Sequence, residues 1–127
     1  MLRIDARIST PIYEQVIIGI KELILKGVLK SGDKLPSVRE LSTLLTINPN
    51  TVSKAYIELE KQNIVEVIKG RGTFISKDYG KNISREKLNK LIIDFKRLII
   101  EANYLGLEEK DLILMLSHEY KEMRGEI

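Results

Sequence analysis

Apolar residues recur at helical spacing through Ile12, Val16, Ile20, Leu23 and Ile24, with Ile17 widening the stripe, which predicts an amphipathic helix. Thr10 stands where a cap belongs and Pro11 where the first helical residue does, a position at which the missing N–H costs nothing. Gly27 is the expected stop. After an extended Leu35-Pro36, a second and shorter stripe runs through Val38, Leu41, Leu44 and Leu45. Ser37-Val38-Arg39-Glu40 has the spacing of a capping box, so Ser37 opens that helix. Thr46-Ile47-Asn48 breaks the pattern and Asn48-Pro49 restarts it as cap and first helical residue. Val52, Ala55, Tyr56 and Leu59 then fall at i, i+3, i+4 and i+7, one buried face.

The period changes after that helix. Ile64–Ile68 and Thr73–Ser76 are rich in β-branched residues and are joined by Lys69-Gly70-Arg71-Gly72, the signature of a hairpin. A polar stretch follows. Beyond it, Leu88, Leu91, Ile92, Phe95, Leu98, Ile99 and Ala102 alternate in steps of three and four, a heptad-like seam that Tyr104-Leu105-Gly106 ends. Leu112, Met115, Leu116, Tyr120 and Met123 mark a last helix. The reading is a mainly α chain with a small β-hairpin wing. A winged helix-turn-helix domain occupies residues 1–77, a linker 78–82, and a two-helix dimerisation domain 83–127.

This order of elements brings chemistry with it. The turn sets two helices at a steep angle, so that the second lies in a major groove while the first crosses the backbone. With Val52, Ala55, Tyr56 and Leu59 inward, Asn50, Thr51, Ser53 and Lys54 are left to face outward near the helix N-terminus. Asparagine pairs with adenine through two bonds, hydroxyls reach bases or phosphates, and lysine suits phosphate or guanine. Arg39 lies off the apolar stripe of the preceding helix and suits the same partners, against the plain alternative of a surface ion pair with Glu40. Lys69 and Arg71 sit at the tip of a glycine turn, which serves both as a hairpin and as a finger into a narrow groove. The candidate DNA contacts are therefore Ser37, Arg39, Asn50, Thr51, Ser53, Lys54, Lys69, Arg71, Gly72 and Thr73.

Charge sharpens this picture. The net value is only +3, but residues 1–81 carry thirteen Lys/Arg against nine Asp/Glu, while residues 82–127 carry eight against nine. A polyanion is expected to meet the front of the chain. The sequence has no cysteine, which excludes disulfides and thiolate chemistry. A single histidine, His118, rules out a Ser/His/Asp arrangement near the basic region, and no cofactor or metal is expected, although Glu119 and Glu122 stand close to it in sequence. The first residues lack the apolar core of a signal peptide and no run approaches the ~18 residues of a membrane span, so the expected location is cytoplasmic, with no membrane partner.

Two amphipathic helices in the last third do not enclose their own apolar faces. Leu88, Leu91, Ile92, Phe95, Leu98, Ile99, Leu112 and Leu116 are therefore read as a core shared between two copies of the chain. Two helices also leave little room for a ligand pocket, which spans on the order of a few hundred Å³. A small-molecule effector would have to be small, sit between subunits, or not exist.

PIYEQV, GDKLPSVREL, NPNTVSKAYIELE and KGRGTFI, in this order, resemble the GntR family of bacterial transcription regulators over about Ile4 to Ser76. The short two-helix tail resembles the YtrA-type subfamily, whose members lack a large effector domain and dimerise through the tail. The resemblance implies a repressor acting as a homodimer on a near-palindromic double-stranded operator, with contacts from Arg39, from Asn50, Thr51, Ser53 and Lys54, and from Arg71 and Gly72. It also implies control of a transporter operon, since genes for such regulators often lie beside transporter genes. Two positions depart from the family pattern: Thr46 in the turn, where a positive φ would strain a β-branched residue, and Glu108 before the last helix, where Ser or Thr is usual. The alternative from another class is a winged-helix module that binds protein or RNA. No enzyme is expected.

Overall fold

Five helices and one hairpin follow each other in a computed structural model that describes residues 2–77 and 84–127. They are α1 (Ile12–Leu25), α2 (Val38–Leu45), α3 (Pro49–Lys61), β1 (Val65–Ile68), β2 (Gly72–Ile75), α4 (Arg85–Tyr104) and α5 (Glu109–Met123). The chain divides into two units, residues 1–80 and 81–127. The linker expected at residues 78–82 lies outside the described residues.

In the first unit α3 is the centre, packed against α1, α2 and β1. Val16 and Ile20 of α1, Val52 and Leu59 of α3 and Ile75 of β2 are each at most 1 % exposed. Each such side chain contributes about 1.5–3 kcal/mol by leaving water, so these five anchor the domain. The N-terminal segment is laid over α1. Leu2 and Ile4 pack on the core, and the Gln15 amide clamps the segment by accepting from Asp5 N at 2.8 Å and donating to the carbonyls of Asp5 and Thr10 at 2.9 Å.

Helix boundaries follow their caps, with two corrections. Pro11, at φ −53° and ψ 146°, is the cap residue of α1, and Thr10 gives its carbonyl to Gln15 instead of capping the helix. Proline fixes φ but its ψ remains extended here, which moves the first helical residue to Ile12. Leu44 is not part of the inner stripe of α2: it is 72 % exposed, while Ser42 is buried. In so short a helix the buried face is centred on Leu41, Ser42 and Leu45, and Leu44 falls about 100° to one side. The capping box at Ser37 and Glu40 forms as the spacing predicts, and Asn48 Oδ1 caps α3 by accepting from Asn50 N at 2.8 Å. Thr46 ends α2 at φ 55° and ψ 50°, the left-handed conformation that the turn demands.

The hairpin pairs Val65 with Ile75, Glu66 with Phe74, Val67 with Thr73 and Ile68 with Gly72. Gly72 thus belongs to the strand, and the connecting loop is three residues, Lys69-Gly70-Arg71, rather than four. A feature absent from the sequence reading closes the other edge of β2. Leu35 N donates to Thr73 O, Ile75 N to Asp33 O and Gly32 N to Ile75 O, all at 2.8 Å. The segment before α2 is therefore stitched to the wing.

In the second unit, α4 and α5 make little packing contact with each other. Ala102 is the one buried side chain among the described residues of these helices. Leu91, Ile92, Phe95, Leu98 and Ile99 are 47–64 % exposed, as is Leu116 at 49 %, so the seam is no internal core. Among the described residues no helix is long and apolar enough to cross a membrane.

Candidate nucleic-acid interface

The outward face of α3 is built by its packing. Val52, Ala55, Tyr56 and Leu59 are buried, which leaves Asn50 and Lys54 exposed and Thr51 and Ser53 half-buried. Ile57, 52 % exposed, continues the same outward column one turn beyond Ser53. The sequence reading did not single it out, although its spacing from Asn50 and Ser53 contained the signal. Tyr56 holds this helix in place: its hydroxyl donates to the Pro36 carbonyl at 2.7 Å. Burial, and secondarily the Glu40 carboxylate, push the Tyr56 hydroxyl well above the ordinary phenol value, so it stays a neutral donor.

Lys54 does not extend freely. Its ammonium lies 3.8 Å from the centroid of the Tyr13 ring, at the start of α1. The Tyr13 hydroxyl donates to Glu14 Oε1 at 3.2 Å. The charge of Glu14 raises the Tyr13 pKa most, with burial, that hydrogen bond and Glu58 adding to it. PIYEQV carried Tyr13 as a motif residue, but nothing in the spacing connects it to Lys54, forty-one positions away.

Ser37 and Glu40 spend themselves on structure. Glu40 N donates to Ser37 Oγ at 3.1 Å and Ser37 N to Glu40 Oε1 at 3.0 Å. These bonds from Ser37 hold the Glu40 carboxyl below its usual range. Among the described residues Arg39 has no ion pair, so its exposed guanidinium is available, and the alternative of pairing with Glu40 is not realised. The Arg39 carbonyl accepts from Ser42 Oγ at 2.8 Å, which fixes its backbone.

At the wing, Arg71 N donates to Ile68 O at 2.9 Å around Gly70, whose φ of 80° requires glycine. Lys69 and Arg71 are exposed and Thr73 is half-buried. Gly72 has φ 126°, and a Cβ on it would stand 2.9 Å from Cε of Lys34. Lys34 thus reaches along β2 to the strand end next to the wing tip and adds a cation there. The contact spans the whole helix-turn-helix in sequence, so no local pattern announces it.

Arg39, the start of α3 and the wing are all carried by one unit, linked through Pro36–Tyr56 and through the Asp33/Leu35 bonds to β2. In the second unit the side chains of His118, Glu119 and Glu122 come within 4.8 Å of one another. All three are exposed, and none is held by a hydrogen bond among the described residues, so nothing orients them as ligands.

Residues 12–75 match the profile of the family described as bacterial regulatory proteins, gntR family. Over its full length the chain is 50 % identical to the HTH-type transcriptional repressor YtrA of Bacillus subtilis (strain 168), covering 95 % of that protein. The crystal structure of a transcriptional antiterminator from Listeria monocytogenes EGD-e superposes with a TM-score of 0.91 at 38 % identity, covering 98 % of this chain and 92 % of that one. The DNA-binding domain of AraR in complex with operator ORR3 superposes at 0.52 with 27 % identity, over 58 % of this chain and 89 % of that one.

Proposed function

This chain belongs to the GntR family of bacterial regulatory proteins, in its YtrA-type branch, and from that premise we propose that it represses transcription by binding a near-palindromic duplex operator as a homodimer. The observation that carries the reading is the joining of three candidate contact groups on one unit: Arg39, the outward face of α3 with Asn50 and Ser53, and the wing with Arg71. In this mechanism Arg39 and Arg71 supply charge on either side of the recognition helix, and amides and hydroxyls on the helix read bases. The likeness to AraR bound to its operator fragment supports duplex DNA as the partner.

The open apolar faces of α4 and α5 support dimerisation, because two helices that hardly touch leave Leu91, Phe95 and Leu98 in water unless a second copy covers them. A symmetric pair would present two reading heads about one DNA turn apart. The relation to the YtrA repressor supports repression as the sign of control. Control of a transporter operon extends the family resemblance, and transcript levels of neighbouring genes in a deletion strain test it.

Selection of bound sequences from a random duplex pool tests the main reading and returns half-site, spacing and symmetry together. Affinity for the selected duplex is expected to fall about 10³-fold or more between 50 and 200 mM salt, as for a protein with six or more phosphate contacts. No duplex preference at low salt sinks it. A second reading, a winged-helix module on RNA, draws on the likeness to the protein described as an antiterminator. The same selection run with single-stranded RNA separates the two.

A further inference from the structure

We propose that Tyr13 fixes Lys54 as a contact to the DNA backbone and thereby keeps it out of base readout. The proposal rests on the duplex-DNA reading above and concerns the division of labour on α3. Around α3, Asn50, Lys54 and Ile57 lie opposite the buried face, with Ser53 on one flank and Thr51 and Glu58 on the other. The Tyr13 ring lies against the Lys54 ammonium, and the charge of Glu58, on the flank next to Lys54, also reaches it. With its nitrogen 3.8 Å from the ring centroid, Lys54 is drawn sideways toward α1 rather than forward along the Asn50 column.

The ring face occupies one side of the ammonium and leaves its other N–H donors directed to solvent, where a phosphate oxygen fits. Two carboxylates nearby are engaged elsewhere: Glu14 accepts from the Tyr13 hydroxyl, and Glu58 accepts from Gln62 Nε2 at 3.0 Å. Among the described residues Lys54 has no ion pair to surrender when a phosphate arrives. A lysine normally forfeits much rotamer freedom on docking, and one already resting on an aromatic face forfeits less. Tyr13 is in this sense a positioning residue. The consequence is that Lys54 adds affinity without sequence preference, and readout is left to Asn50, Ser53 and the arginines.

The test is fluorescence anisotropy of the full chain on its selected operator and on an unrelated duplex across a range of salt. Lys54→Met is expected to weaken both by the same factor and to reduce the salt slope by about 1. Lys54→Arg, which keeps charge and ring contact, retains the slope. Tyr13→Leu reproduces the greater part of the Lys54→Met loss, Tyr13→Phe does not, and Tyr13→Leu with Lys54→Met is no weaker than Lys54→Met alone. Independent, additive losses overturn the proposal, as does a Lys54→Met loss confined to the operator or an unchanged slope. The two Lys54 variants leave the core untouched, so a Lys54→Met loss confined to the operator, or an unchanged slope, overturns the proposal even where Tyr13→Leu fails to fold. A wild-type chain that binds no duplex overturns the proposal together with the reading beneath it, whereas the other outcomes overturn the proposal alone.

Discussion

The Tyr56 hydroxyl donates to the carbonyl of Pro36 at 2.7 Å, which ties the middle of α3 to the residue just before the α2 cap. Tyr56 is 6 % exposed, so the bond is sheltered from water. Tyr56→Phe is expected to cost about 1 kcal/mol, the net value of one such bond, and to leave the Pro36 carbonyl without its donor. The urea midpoint should fall with the slope unchanged.

Thr46 sits at φ 55° between α2 and α3. A β-branched side chain is strained there, and glycine or asparagine is not. Thr46→Gly or Thr46→Asn should raise stability by about 1 kcal/mol, read from thermal unfolding, with operator affinity preserved. A drop in stability would mean that the Thr46 side chain contributes more than its backbone costs.

The Arg39 side chain is exposed and, among the described residues, makes no hydrogen bond or ion pair. Arg39→Ala should reduce operator affinity by about 10–100-fold or more while the denaturation midpoint moves by less than about 0.5 kcal/mol. Full affinity in the variant would remove Arg39 from the interface.

Leu91→Asp with Phe95→Asp places two charges on a face that is 53 % and 47 % exposed in the single chain. The doubly substituted protein should sediment as a monomer and lose cooperative binding to a two-half-site operator, with the helix-turn-helix still folded by circular dichroism. A dimer that persists would locate the contact elsewhere.

Acid should act on α2 through Glu40, whose carboxyl is held below its ordinary value of 4.5 by bonds from Ser37. A carboxylate depressed by folding stabilises above its unfolded pKa and loses that effect as pH falls through its folded one. The stability gap between wild type and Glu40→Ala should therefore be constant from pH 7 down to about the ordinary carboxylate value and shrink below it. Urea titrations at neutral pH and near pH 3 measure the difference.

The parts of this fold that local spacing encodes were legible in the sequence. Asn48-Pro49, Ser37 with Glu40, and the glycines of the wing each dictate their own few residues of backbone. The four-residue face of α3 is likewise a local pattern, and its burial matched it. What escaped was set by distant partners. Leu44 is exposed because of where α2 meets the core, Lys34 meets Gly72 across the domain, and Tyr13 meets Lys54 from another helix. The outward residues of α3 could be named in advance for the same reason: packing that is locally periodic also fixes what it leaves over.

The bonds from Leu35 to Thr73 and from Ile75 to Asp33 carry a consequence for DNA itself. If the wing and Arg39 both touch the duplex as proposed, these bonds would make the wing and the start of α2 the two jaws of a calliper that is set before any duplex arrives. A groove of the right width costs such a protein almost nothing to grip, because no loop has to freeze. A groove of another width has to be bent to fit, and that cost varies with base sequence at steps no side chain touches. On the duplex-DNA reading proposed above, part of the operator's identity would thus be measured as a gap.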